Sequence, residues 1–272
     1  EKWASNVIFV RNMGTSVMKL KFSLAVLALL VISGCRTVRP VTAVHIQENI
    51  SINANLSEDP EFVKVIAPYK KELESKMNTK ISYTSVDLTK QGDNSNLGNL
   101  LADFTFQGAE EWAKKNGKYS VDAAVINVGG IRSMIGKGDI LTRHIYEVMP
   151  FENEIVIVKM SGKQLQGLYD YYTATQKNNP VAGLRIETDA GKPVKFQIGG
   201  KPVVLNQIYY IATSDYLSTG GDQMDFFKSG EIISTGIKMR DLFLEKFAAV
   251  PQIHAPTDIR LIFKNKPNKS NE

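Results

Sequence analysis

The chain has 272 residues, 43% hydrophobic and 22% charged, a composition that excludes a wholly disordered or fibrous protein and suits one large globular domain or two small ones. The formal charge of +5 does not mark a polyanion binder. Lys2, Arg11, Lys19 and Lys21 against Glu1 precede residue 35, the remainder carries +2, and no long basic run occurs outside the Lys-rich tail, so no nucleic-acid partner is expected.

Met18-Lys19-Leu20-Lys21 is a short basic region, and the apolar run 22–32 after it is too short for a comfortable membrane span, the pattern of a secretory signal. The run closes on Ile32-Ser33-Gly34-Cys35, which resembles the lipobox of bacterial lipoproteins, where the cysteine is lipid-modified and becomes the mature amino terminus. Cys35 is the only cysteine, so no disulfide competes for it; the alternative is an incidental buried thiol. The expected divisions are 1–17 ahead of the true start, 18–35 signal and lipobox, 36–43 tether, 44–263 one folded domain, and 264–272 a solvated polar tail. The expected location is the bacterial cell envelope, held to a membrane by the lipid.

Within the domain, Asp59-Pro60 supplies a capping residue and a proline at the first helical position, and Phe62, Val65, Ile66, Tyr69, Leu73 and Met77 recur at helical spacing, predicting a helix over 60–78 with Pro68 as a candidate kink. Residues 80–86 alternate and are β-branched, predicting a strand. A second helix opens at 96 and stops at Asn116-Gly117, a C-cap pair; Asp103 on it is expected at most to form an ion pair at its solvent edge.

The apolar run 123–126 reads as a buried strand, so the glycines of Asn127-Val128-Gly129-Gly130-Ile131-Arg132 fall where a strand ends and a loop begins. A glycine pair permits a tight turn and close approach to a ligand, and Arg132 presents a planar five-donor fork suited to an anion. By itself the stretch reads as an ordinary turn with a surface arginine.

Beyond these central loops, 154–160 is a predicted strand, and Ser161 with Gln164 has capping-box spacing at the start of a helix through Tyr172. Strands are expected over 183–188 and 192–197, joined through Asp189-Ala190-Gly191 with a second turn at Gly199-Gly200, and over 207–213, which runs into Ser214 to Asp222. A helix over 236–248 and a strand over 258–263 close the domain. There is no internal repeat, and the mixture of hairpins and helices argues against a purely parallel doubly wound sheet.

Asn127 to Arg132, Gly138-Asp139-Ile140, Pro150-Phe151-Glu152-Asn153, Ser161 to Leu165, and Asp215-Tyr216-Leu217 to Gly220-Gly221-Asp222 occur in this order. Together they resemble the C-terminal substrate-binding domain of the bacterial 5'-nucleotidase and UDP-sugar hydrolase family, over most of residues 46–263. The resemblance implies an α+β fold, a layered α-β-β-α domain with mixed sheets, that binds the nucleoside part of a nucleotide while a separate two-metal phosphoesterase domain performs hydrolysis. It implies that Phe151 and Tyr216 sandwich the base, that Asp222 accepts hydrogen bonds from the ribose, that Asn127 bonds the base, and that Arg132 reaches the phosphate. The alternatives are that Phe151 and Tyr216 are core residues at strand ends and that Asp222 caps a local turn. Asn153 and Gly183 either line the pocket or only shape its backbone.

One departure concerns phosphate binding. The family commonly carries an arginine a few residues before the Asn-Leu-Gly-Asn-Leu helix start, whereas this chain has Lys90-Gln91-Gly92-Asp93-Asn94-Ser95, in which Lys90 offers only a less directional point charge. Two-metal hydrolysis needs clustered Asp, His and Asn ligands. His45, His144 and His254 are far apart and outside any such signature, so no metal site and no catalytic residue is expected here, and the chain alone is expected to be inactive. Divalent metals are expected in a partner phosphoesterase. Three functions follow: a lipid-anchored nucleotide-recognition subunit serving that partner in nucleotide catabolism, a stand-alone nucleoside- or nucleotide-binding lipoprotein, or a scaffold whose pocket binds nothing.

Overall fold

The computed structural model describes residues 56–266 apart from Lys118, together with Ser51 and Asn53. The chain divides into the units Glu1–Glu58 and Asp59–Glu272, and every helix and strand among the described residues lies in the second. The signal, lipobox and tether readings, with Cys35 and His45, lie outside the described residues.

Local signals place the first elements. Helix α1, Pro60–Met77, is capped by the Asp59 carboxylate, which accepts from the Glu61 and Phe62 amides. It leads into β1, Lys80–Thr84, and then α2, Asn96–Asn116, capped by the Ser95 hydroxyl and stopped at Gly117. Next come β2, Ala123–Val125, and a short 3-10 turn, Val128–Gly130. The stretch 138–148, for which the sequence indicates no helix or strand, forms β3, Gly138–Leu141, and α3, Thr142–Val148. Strand β4, Glu154–Ser161, runs into α4, Gly162–Thr175, through the expected capping box: Ser161 Oγ accepts from the Gln164 amide while Gln164 Oε1 accepts from the Ser161 amide.

The second half is mainly strand: β5, Val181–Ala182; β6, Leu184–Asp189; β7, Lys192–Ile198; β8, Lys201–Pro202; and β9, Ile208–Ser214. A four-residue helix α5, Asp215–Ser218, follows β9 directly. Residues 236–238, expected to open a helix, belong instead to β10, Glu231–Lys238, because they pair with β4; α6 is Met239–Ala248. The final strand β11, Leu261–Lys264, extends one residue into the expected tail, and residues 267–272 lie outside the described residues.

Three sheets result, of order β1-β3, β10-β4-β9-β2-β5 and β11-β6-β7-β8. The two larger ones are mixed: β2 runs parallel to β9 and β11 parallel to β6, while their other pairings are antiparallel. The α+β class with mixed sheets is thus what the chain adopts. Strand β4 shows how the layers arise. Its side chains alternate faces, so Ile155 and Ile157 enter a core shared with α2 and α6, while Val156, Val158 and Met160 enter a second core shared with α4 and the four-stranded sheet. Arg260, just ahead of β11, ties the layers by pairing with Asp103 and Asp258 and donating to the carbonyls of Asn99 and Val181.

Candidate functional site

The direction of three neighbouring strands builds the site. β2 and β9 are parallel, with Ala124 opposite Ala212, so both end at the same edge of the sheet. β4 is antiparallel to β9, with Ile155 opposite Ser214, so β4 begins at that edge. The segments 127–132, 150–153 and 215–222, far apart in sequence, therefore meet outside the strand ends. Such an edge is where open α/β sheets commonly hold ligands.

Each segment is pinned by buried neighbours and leaves polar or aromatic side chains at its tip. Ile126 and Ile131 are both in the core and bracket the 3-10 turn; each such burial contributes about 1.5–3 kcal/mol. Gly129 and Gly130 make that turn without left-handed backbone. Asn127 precedes it, and its side chain does not cap it. Arg132 is anchored by its amide to the Val148 carbonyl at 2.9 Å, and its Nη1 donates to the Gly129 carbonyl at 3.1 Å, leaving other guanidinium donors for a ligand. On the third segment Leu217 is fully buried and capped through Ser214, which fixes Asp215 and Tyr216 beside it.

Asn127, Gly129, Gly130, Arg132, Phe151, Glu152, Asn153, Tyr216 and Asp222 line one cavity of about 610 Å³, within the ~300–1,000 Å³ usual for small-molecule sites. Phe151 is 43% and Tyr216 45% exposed, so neither ring is a core residue at a strand end. The Arg132 guanidinium lies 5.9 Å from the Phe151 ring centroid, a cation–π arrangement that holds the guanidinium by the aromatic wall. Gly221 permits the opposite wall its shape: a Cβ there would sit 2.5 Å from the Tyr216 ring. Asp222 adopts φ of +52°, a conformation that Asp tolerates better than most residues.

Six of the seven sequence-predicted residues, Asn127, Arg132, Phe151, Asn153, Tyr216 and Asp222, are brought together here. Gly183 is not. It follows β5 with φ of +70°, a Cβ on it would meet the Asp122 carbonyl at 2.5 Å, and it borders a different cleft beside Asp103, Arg185 and Arg260. Its role is to let the backbone turn in a tight space. Lys90 does not line the cavity either: its Nζ donates to the Ile131 carbonyl at 2.6 Å and so braces the residue before Arg132.

The sequence reading missed two supports. Asn179, fully buried, accepts the Val128 amide at 3.0 Å and holds the 3-10 turn from behind. Asp215 accepts both the Asn153 side-chain amide at 2.7 Å and the Tyr216 amide at 2.8 Å on one carboxylate oxygen, joining two walls. Asn179 acts on a residue 51 positions away, and Asp215, although within the Asp215-Tyr216-Leu217 motif, reaches Asn153 across 62 positions, a link that local spacing does not mark. Burial lowers the titration of His144, whose Nδ1 accepts the Leu141 amide at 3.2 Å, away from the cavity. Among the described residues no group of three or more His, Cys, Asp or Glu is arranged to hold a metal ion.

The cavity thus presents two exposed aromatic rings, two side-chain amides, two carboxylates and a guanidinium. The chain belongs to the 5'-nucleotidase C-terminal domain family, whose model matches residues 75–229. It is 31% identical over 205 residues to the trifunctional nucleotide phosphoesterase protein YfkN of Bacillus subtilis, covering 65% of this chain and 13% of that protein. To protein UshA of Escherichia coli it is 27% identical over 187 residues, covering 64% of this chain and 32% of that one. The chain thus spans a third or less of the length of these curated relatives. Among solved structures it resembles the 5'-nucleotidase precursor of Thermus thermophilus, with 26% identity and a TM-score of 0.64 over 76% of this chain and 44% of that one.

Proposed function

We propose that this chain recognises the nucleoside or nucleotide substrate of a 5'-nucleotidase-type hydrolase, in nucleotide catabolism, for a two-metal phosphoesterase carried on another polypeptide. The observation that carries the reading is the convergence of Phe151, Tyr216, Asn127, Arg132 and Asp222 on one cavity. The two rings stack on the base, which is tolerant of base identity because every base has a π face. Asp222 accepts from the ribose hydroxyls, Asn127 and Asn153 meet the base edge, and Arg132 takes the phosphate in a charge-assisted contact.

This chain binds and orients; the partner supplies the metals and the nucleophile. Positioning of that kind lowers the barrier only when the two surfaces dock, because the gain comes from holding the scissile phosphate at the metals. Lipidation at Cys35 anchors the chain in the bacterial cell envelope, a reading supported by the Ile32-Ser33-Gly34-Cys35 sequence after the apolar run.

Titrating the purified protein calorimetrically with adenosine and adenosine monophosphate tests the binding half. Absence of heat with both overturns it and leaves the scaffold function. Co-expression with a two-metal phosphoesterase that lacks a domain of this family tests the other half: adenosine monophosphate hydrolysis is expected to rise above that of the phosphoesterase alone. Binding with no such rise replaces the partner reading with a stand-alone nucleotide-binding lipoprotein.

A further inference from the structure

We propose that Arg240 is a positioning residue that fixes the Phe151 wall of the cavity, an inference that rests on the cavity being a nucleoside site. Phe151 is 43% exposed, so core packing does not set its place; the backbone on either side must. That backbone is gripped by three consecutive residues at the junction of β10 and α6. Lys238 Nζ donates to the Glu152 carbonyl at 3.1 Å, and the Met239 amide to the Asn153 carbonyl at 2.9 Å. Arg240 holds both flanks of Phe151: Nη1 donates to the Pro150 carbonyl at 3.2 Å and Nη2 pairs with the Glu152 carboxylate.

The guanidinium is itself held. Its side chain is only 12% exposed, and it lies 4.5 Å from the ring centroid of Tyr146 on α3. A planar fork resting on an aromatic face and donating in two directions is a task for arginine, because a lysine ammonium is a point charge on a flexible stem. The effect of the grip extends to the opposite wall. Asn153, at the end of the held loop, donates to the Asp215 oxygen that also receives the Tyr216 amide, so moving 150–153 changes the spacing between the two rings. Glu152 lines the cavity, and its pairing with Arg240 offsets a negative charge beside the place proposed for a phosphate.

The test uses 4-fluorophenylalanine at 151, read by fluorine NMR in the ligand-free protein, with a second label at Phe243 in the core and calorimetry with adenosine alongside. In R240A the Phe151 line is expected to move towards the position of an unstructured label while the Phe243 line stays. Adenosine affinity is expected to fall about tenfold, and R240K to restore only part of either effect. A merely structural role would move the Phe243 line as well. An unchanged Phe151 line in R240A overturns the inference whether or not ligand binds, and an unchanged adenosine affinity overturns it where the native protein binds. If the native protein binds no adenosine while the Phe151 line still moves, the functional reading fails and the clamp stands. Should R240A not fold, Y146L and E152Q remove the other members of the clamp singly and carry the same expectation for the Phe151 line, with the same unchanged line overturning it.

Discussion

Tyr216 donates its hydroxyl to the Asp222 carboxylate at 3.0 Å and accepts the Asp222 amide at 3.2 Å. The ring proposed to stack on the base and the carboxylate proposed to hold the ribose are therefore one unit. Tyr216→Phe keeps the ring and loses the tie, so adenosine affinity is expected to fall by about 0.5–1.5 kcal/mol. Tyr216→Ala also loses the stacking surface, worth a further ~1–3 kcal/mol. Calorimetry of the two variants side by side checks this; equal losses would mean that the ring does not stack.

Arg132 has a second duty open to it, because its Nη1 already bonds the Gly129 carbonyl. If its main partner is the phosphate, Arg132→Ala weakens adenosine monophosphate more than adenosine, by about 1.5–3 kcal/mol for a charged hydrogen bond. Raising the ionic strength should shrink the native preference for the nucleotide. Equal loss for both ligands would make Arg132 a brace for the loop alone.

At Gly183 the expectation is reversed. With φ of +70° and the Asp122 carbonyl in the way of a Cβ, Gly183→Ala should lower stability by more than about 1 kcal/mol in urea unfolding. Adenosine affinity should stay unchanged. Weaker binding without loss of stability would return Gly183 to the ligand contacts.

His144 gives a pH dependence with a definite sign. Burial lowers its folded value below the ordinary 6.5, Arg143 adding to that and Glu147 opposing it, and the neutral ring accepts the Leu141 amide. As pH falls below 6.5 the unfolded chain takes up the proton first, so the contribution present above 6.5 is lost on descending through the folded value. Native protein should therefore lose stability between pH 7.5 and 5.5 by more than His144→Ala does. Glu154 and Asp258, whose values are also lowered, titrate further down, Glu154 through the Ser234 hydroxyl and Asp258 through Arg260. Equal slopes in the two proteins would show that His144 does not titrate in this window.

The helices announced by local chemistry were legible in the residues. Asp59-Pro60 and the Ser161 to Gln164 box close hydrogen bonds within three residues, and the structure places α1 and α4 where those signals lie. Helix α3 escaped because it begins after Leu141, with no Ser, Thr, Asp or Asn to cap it. Strand β10 escaped because it lies at a sheet edge with many exposed side chains, and what makes it a strand is its ladder to β4, some 75 residues away.

The sequence by itself determined the helices with strong caps, which are written in short spacings, and the family of the domain, whose ordered motifs imply by resemblance six of the residues that line the cavity. Only the tertiary structure decided that β2, β9 and β4 bring their loops to one edge, that Gly183 stands apart, and that Arg240 and Asp215 hold the aromatic walls. It also decided the environment of α1, whose apolar stripe of Phe62, Val65, Ile66, Tyr69 and Leu73 has the period of a buried face yet is exposed. Period specifies that a helix has a face; what covers that face, like which strands lie side by side, depends on contacts between residues far apart in the chain, and local spacing does not encode them.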